Sequence, residues 1–124
     1  MELGTILCTS SVLLAITAVG GLVMAVVSFK GTLEPPTWLA MLHGFLAAAA
    51  VTLLVYAAAT VGLPGTALAA LVLFLIAALG GVVLNLKYHW KRLPLPRWLI
   101  VTHAVAAVAG FVLLLVATFA SRVP

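Results

Sequence analysis

Two histidines stand inside stretches that are otherwise almost wholly apolar, and they stand in the same local sequence. Pro36-Thr37-Trp38-Leu39-Ala40-Met41-Leu42-His43 and Pro96-Arg97-Trp98-Leu99-Ile100-Val101-Thr102-His103 both read P-x-W-L-x-x-x-H, 60 residues apart. An ionisable side chain within a membrane-length apolar run costs free energy and marks a candidate site. Two neutral imidazoles brought to one depth offer one ligating nitrogen each, enough for the two axial positions of a planar metal group. They fall short of a structural zinc site, which takes four protein ligands.

The match between the halves extends beyond the motif. At the same offset Gly20-Gly21 pairs with Gly80-Gly81, Ile16 with Ile76, Ala18 with Ala78, Val23 with Val83 and Leu33 with Leu93. Further on, Ala47, Ala49, Leu53, Leu54 and Ala57 pair with Ala107, Ala109, Leu113, Leu114 and Ala117. The rarer residues (Trp, His, the glycine pair, Pro) share one offset, so the chain reads as a tandem duplication, repeat 1 over 1–60 and repeat 2 over 61–124.

Composition sets the environment. The chain of 124 residues is 66% hydrophobic and 6% charged, with two acids and six bases. A soluble domain of that size has more surface than so few charges can hydrate. The reading is an integral membrane protein, a single transmembrane domain over 1–124. Its net charge of +4 speaks of topology and lipid headgroups, not of nucleic acid. A single cysteine, Cys8, excludes an intramolecular disulfide and CxxC chemistry. It reads as a small buried hydrophobe.

Four apolar runs are long enough to cross about 30 Å of hydrocarbon at 1.5 Å per residue. They predict helices over about 3–29, 37–60, 67–88 and 98–120. The first follows Met1-Glu2, which lacks the basic start of a signal peptide. Lys30-Gly31-Thr32-Leu33-Glu34-Pro35-Pro36 ends it with strong breakers. Val61-Gly62-Leu63-Pro64-Gly65-Thr66 is a short uncharged turn. Trp38 reads as an interfacial anchor at the start of the second helix, and the segment from Lys87 to Arg97 is the most basic of the chain, flanked by the aromatics Tyr88, Trp90 and Trp98.

Loops 1–2 and 3–4 carry Lys30, Lys87, Lys91, Arg92 and Arg97, and the other side carries only Arg122. The positive-inside rule places both loops in the cytoplasm and both termini outside, as in a bacterial inner-membrane protein. Each repeat holds two helices, so the repeats share one orientation and are related by a pseudo-twofold along the membrane normal. The expected fold is all-α, a compact four-helix bundle.

Within it His43 and His103 lie about 7 Å deeper than their tryptophans. Ala47, Ala50 and Leu54 continue the His43 face, and Ala107, Gly110 and Leu114 that of His103. The glycine pairs fall near the same depth on the partner helices and leave space for the edge or face of a macrocycle. Facing imidazoles, adjacent glycines and a basic rim suit a b-type haem. His43 and His103 would be its axial and metal ligands, Gly20, Gly21, Gly80 and Gly81 its clearance, and Arg92 and Arg97, with Lys30 or Lys91, the partners of its propionates. The second nitrogen of each imidazole needs an acceptor, Thr102 or a backbone carbonyl. His89 aligns with Phe29 and reads as an interfacial residue. Asn85 aligns with Ala25 and reads as a donor or acceptor between helices.

On these residues the chain resembles the four-helix b-type membrane cytochromes, namely the cytochrome b561-like proteins and the cytochrome b anchors of membrane dehydrogenases. The resemblance covers the whole length loosely. It implies electron transfer, with ligands carried over to His43 and His103 alone. Those families often hold four ligand histidines for two haems, and two here imply one.

The first functional reading is therefore a haem b electron carrier or redox-complex subunit, not an enzyme with its own substrate. Its partners would be the bilayer, a redox protein or quinone, and a second copy or a larger membrane complex. The alternative is a cofactor-free accessory or structural subunit, in which each histidine hydrogen-bonds a carbonyl across a helix pair and duplication has copied the bond. A small transporter ranks last, because Glu2 and Glu34 both lie outside the helices and leave no membrane carboxylate for proton coupling.

Overall fold

Four helices and the turns between them account for the structure, a computed structural model that describes residues 2–31 and 34–121. α1 spans Leu3–Lys30, α2 Thr37–Thr60, α3 Gly65–Val83 and α4 Arg97–Ala120. No strand occurs among the described residues. Arg122, and Leu33 of the repeat alignment, lie outside them.

Proline and glycine set the boundaries. Pro36, Pro64 and Pro96 each stand in extended conformation at the N-cap of α2, α3 and α4. A helix start has no use for the N–H that proline lacks. α1 stops where Gly31 turns left-handed, at φ 67°, a conformation glycine adopts at little cost. α2 stops before Gly62, at φ 86°.

α3 departs from expectation at its far end. The apolar run predicts an α-helix through Tyr88, but the α-helix closes at Val83 and a π-helical segment carries the chain from Leu84 to His89. The amide of Trp90 then donates to Asn85 O, five residues back, at 2.7 Å. Together these segments form one span, Gly65–His89, and all four spans are long and apolar enough to cross a membrane. Their outer faces carry Val12, Val19, Leu22, Phe45, Leu79, Val105 and Val108, all exposed. In the absence of a bilayer that much apolar surface has no counterpart in a soluble fold.

α1 packs against α2 and α3 against α4, as two hairpins. The hairpins meet more loosely, along α1 with α4 and α2 with α3. Going round the bundle the order is α1, α2, α3, α4, so the two histidine-bearing helices are diagonal. The buried cluster contains Leu7, Leu14, Ala50, Leu54, Leu71, Phe74, Leu114 and Ala117. These positions lie toward the turn that joins α2 to α3. The histidines occupy the opposite half, toward loops 1–2 and 3–4. Gly110 lets α4 close on α3 in the packed half. A β-carbon there would lie 3.1 Å from Phe74 Cε1 and 3.3 Å from Ala70 O.

Candidate functional site

The two imidazoles meet between the hairpins. Their ring centres are 6.1 Å apart and their planes are inclined at 58°. Both side chains are partly buried.

Each ring is held by the neighbouring helix of its own hairpin. His43 Nδ1 lies 2.9 Å from the carbonyl oxygen of Thr17. His103 Nδ1 lies 2.7 Å from that of Ala77. A carbonyl only accepts, so Nδ1 is the protonated, donating nitrogen in both rings. In the neutral imidazole the lone pair available to a metal is then on Nε2 of both. Of the two expected acceptors, the backbone carbonyl serves. Thr102 is engaged elsewhere, with its hydroxyl donating to Trp98 O at 2.7 Å.

Both bonds span 26 residues, and their members are 60 apart in sequence, Thr17 with Ala77 and His43 with His103. The agreement extends to packing. Position by position, the burial of residues 11–26 is the same as that of 71–86, and that of 41–54 the same as that of 101–114. Ala47 and Ala107 are half-buried, and Ala50, Gly110, Leu54 and Leu114 are buried, so the histidine faces point inward as their spacing implies.

The glycines serve the rings directly. A β-carbon on Gly21 would lie 2.9 Å from Cε1 of His43, and one on Gly81 3.2 Å from Cε1 of His103. Gly21 and Gly81 are thus notches that admit the imidazole edge beside its carbonyl acceptor. Gly80 faces His103 Cβ at 3.6 Å, and Gly20 faces Leu39 Cδ1 at 3.6 Å. Both are ordinary packing distances. The clearance expected for a macrocycle is, in this structure, taken by the imidazoles at positions 21 and 81.

Arg92 and Arg97 sit together at the rim instead. Arg92 Nη1 donates to Glu34 Oε2 at 3.0 Å in an exposed ion pair. The Arg97 guanidinium stands 5.9 Å from the centre of the Phe29 ring. Both line an open hollow at the helix ends. Among the described contacts, neither reaches the histidine pair.

His89 is buried, unlike an interfacial side chain. Its Nε2 donates to Pro35 O at 2.8 Å, which leaves Nδ1 of the neutral ring as an acceptor, 3.4 Å from the side-chain amide of Asn85, whose N–H donates to it when the amide is turned. Asn85 therefore pairs within its own helical segment. With Arg92–Glu34, the His89–Pro35 bond fastens loop 3–4 to loop 1–2 and fixes both loops at one end of the bundle. The sequence carried one signal of this rim, a lone acid, Glu34, among five bases. It carried none of the π-helical turn that swings His89 inward.

At the other end, Ser11 and Thr118 hydroxyls meet at 3.0 Å, both buried. Thr118 Oγ1 already donates to Leu114 O at 2.8 Å, so Ser11 supplies the hydrogen between them.

No known protein family matches this chain, and no curated protein or solved structure does.

Proposed function

We propose that the protein is a bis-histidine haem b protein that transfers electrons within a membrane, with His43 and His103 as the axial ligands. The observation that carries this reading is the shared state of the two imidazoles. Each donates from Nδ1 to a helix carbonyl, and each keeps its Nε2 lone pair. Metal-ligating histidines are held in that way, with the outer nitrogen on a carbonyl or carboxylate that fixes tautomer and ring orientation.

The spacing is consistent with the donor set. The ring centres stand 6.1 Å apart, and His43 and His103 would hold the group through Nε2, the nitrogen that neither carbonyl engages. The looser seam between the hairpins is where a flat group would enter. Haem held there by His43 and His103 would supply a reversible one-electron couple, and the chain would supply ligation and a partly buried surround.

The reading includes a tandem origin for the two hairpins and a pseudo-twofold along the membrane normal. The equal burial patterns and the two carbonyl bonds at one offset support it. By base count, loops 1–2 and 3–4 face the cytoplasm of a bacterial inner membrane and the termini face out. A quinone or a redox protein would exchange the electron.

One observation favours a second reading, a cofactor-free subunit of a membrane complex. The histidines already fill the Gly21 and Gly81 notches and bond the partner helix, as clamps within each hairpin would. Absorption spectroscopy of the detergent-purified protein separates the two. Expressed with ample haem, the protein should show a sharp Soret band and resolved α and β bands on dithionite reduction. His43→Ala and His103→Ala should each abolish them. A colourless wild-type protein selects the clamp reading.

A further inference from the structure

The rim hollow has a chemistry of its own, separate from the histidine pair. It has a volume of about 390 Å³ and is lined by Ser28 at the end of α1, Glu34, and Arg92, Leu93, Leu95 and Arg97 of loop 3–4 and the start of α4. We infer that this hollow binds the phosphate of an anionic membrane lipid, with Arg97 and Arg92 as its cationic partners.

Three observations carry the inference. First, the charge is one-sided. Five of the six bases of the chain, Lys30, Lys87, Lys91, Arg92 and Arg97, belong to this end, and Glu34 is the single acid near them. Glu34 neutralises Arg92 alone. Among the described residues Arg97 has the Phe29 ring beside it and makes no ion pair. A guanidinium recognises phosphate through paired N–H donors and does so better than a lysine ammonium.

Second, the hollow lies where a headgroup lies. It is at the ends of α1 and α4, level with the interfacial start of α4 at Trp98. Its lining mixes the two arginines, Glu34 and Ser28 with leucines and prolines. That combination receives a phosphate on one side and the glycerol and first acyl carbons on the other. Phe29 on α1, beside the Arg97 guanidinium, is exposed, a surface for the chain that follows.

Third, the hollow joins parts that pack loosely on each other. Ser28 and Glu34 belong to the first hairpin and its loop, and Arg92 to Arg97 to the second. Arg92 is also the one non-glycine residue at positive φ among those described, at 56°. That conformation costs free energy in an arginine and is kept only where the surroundings hold it. It directs the guanidinium across to loop 1–2. A lipid phosphate seated between Arg97 and Arg92 would bridge the hairpins where their own contacts are sparse.

The test uses the full chain in a neutral maltoside detergent. Bound lipid is counted by native mass spectrometry and thermal stability is followed during titration with phosphatidylglycerol, phosphatidylcholine or inorganic phosphate. Phosphatidylglycerol should be retained and should stabilise, and phosphatidylcholine should not. General attraction of a base to anionic lipid amounts to about fivefold in affinity. Arg97→Gln should therefore weaken phosphatidylglycerol binding by roughly tenfold or more, beyond that general level. Lys91→Gln, on the same rim but outside the hollow, should stay within it. Glu34→Gln should tighten binding by releasing Arg92.

Equal losses in Lys91→Gln and Arg97→Gln would overturn the site in favour of diffuse charge. Equal stabilisation by inorganic phosphate would overturn the lipid as its source. Loss of haem absorbance in Arg97→Gln, with lipid retention unchanged, would overturn the assignment by giving the guanidinium to the haem group instead. A colourless wild-type protein that retains phosphatidylglycerol leaves the lipid site standing without the haem reading.

Discussion

His43 and His103 face each other across the diagonal of the bundle with ring centres 6.1 Å apart, and neither is held by the other. Each hangs from a carbonyl of its own hairpin, Thr17 O or Ala77 O. The pair is thus set by two independent hairpins, and its separation reports how the hairpins dock. Replacing one histidine by alanine should leave the other in place and cost about 1 kcal/mol for the lost bond plus a small cavity. Thermal unfolding in detergent measures that cost. The optical spectrum measures the ligand role, and under the haem reading either substitution removes it.

The glycine notches give a graded series. An added methyl at Gly21 meets His43 Cε1 at 2.9 Å and at Gly81 meets His103 Cε1 at 3.2 Å, whereas Gly20 and Gly80 leave 3.6 Å. Gly21→Ala should be the most disruptive and Gly81→Ala next, with Gly20→Ala and Gly80→Ala near neutral. Overpacking at the first site should cost about 1–3 kcal/mol, because the ring cannot retreat without stretching its bond to Thr17 O. Unfolding midpoints of the four variants check the order.

Gly110 tests close packing in the other half of the bundle. Its counterpart in the first hairpin is Ala50, which is buried and accommodated. Alanine at 110 would press on Phe74 and on the Ala70 carbonyl. Gly110→Ala should destabilise by about 1–3 kcal/mol although alanine favours helix by about 1 kcal/mol. An equally or more stable Gly110→Ala protein would contradict this packing.

The Ser11–Thr118 bond ties α1 to α4. Ser11→Ala should cost about 1 kcal/mol, and Ser11→Ala with Thr118→Val should cost less than the sum of the two single changes. A double-mutant cycle on thermal unfolding reads the coupling.

His89 fastens the two loops through Pro35 O, a bond buried from water. His89→Ala should expose that carbonyl and cost about 1–3 kcal/mol. Glu34→Gln, which breaks the exposed ion pair to Arg92, should cost at most ~1 kcal/mol. Hydrogen exchange should locate the His89→Ala effect at Glu34 and at residues 84–93. Uniform deprotection of the bundle would mean that the bond is not local.

The helices were legible because the breakers are strong. Thr37 and Thr60 are the ends of α2 by sequence and by structure, and α4 differs from expectation by a single residue, Arg97. The inward direction of His43 and His103 followed from the small residues one and two turns on. Helix rotation elsewhere was not encoded, since helices that face lipid are apolar all round and carry no stripe to read. The acceptors Thr17 O and Ala77 O are backbone atoms and leave no mark on composition. The role of Gly21 and Gly81 was only half legible. Glycine signals close approach without saying what approaches. The π-helical turn at 84–89 was silent for a similar reason, because Leu-Asn-Leu-Lys-Tyr-His serves an α-helix as well.

That turn separates two hairpins that otherwise match in burial over most of their length. A π turn takes in one more residue than the α-helix it replaces, which rotates whatever follows by about 100° about the axis. Burial diverges at Val27 and Lys87, and two positions later Phe29 faces out where His89 faces in. The walls around the two histidines therefore match in burial, and the rim is keyed. A chain made of two copies of residues 1–60 would retain both imidazoles and both notches, yet would have no His89 for Pro35 and no Arg92 for Glu34. Whatever binds at the rim meets a surface with one orientation, and so can tell the first hairpin from the second where the surroundings of the two imidazoles cannot.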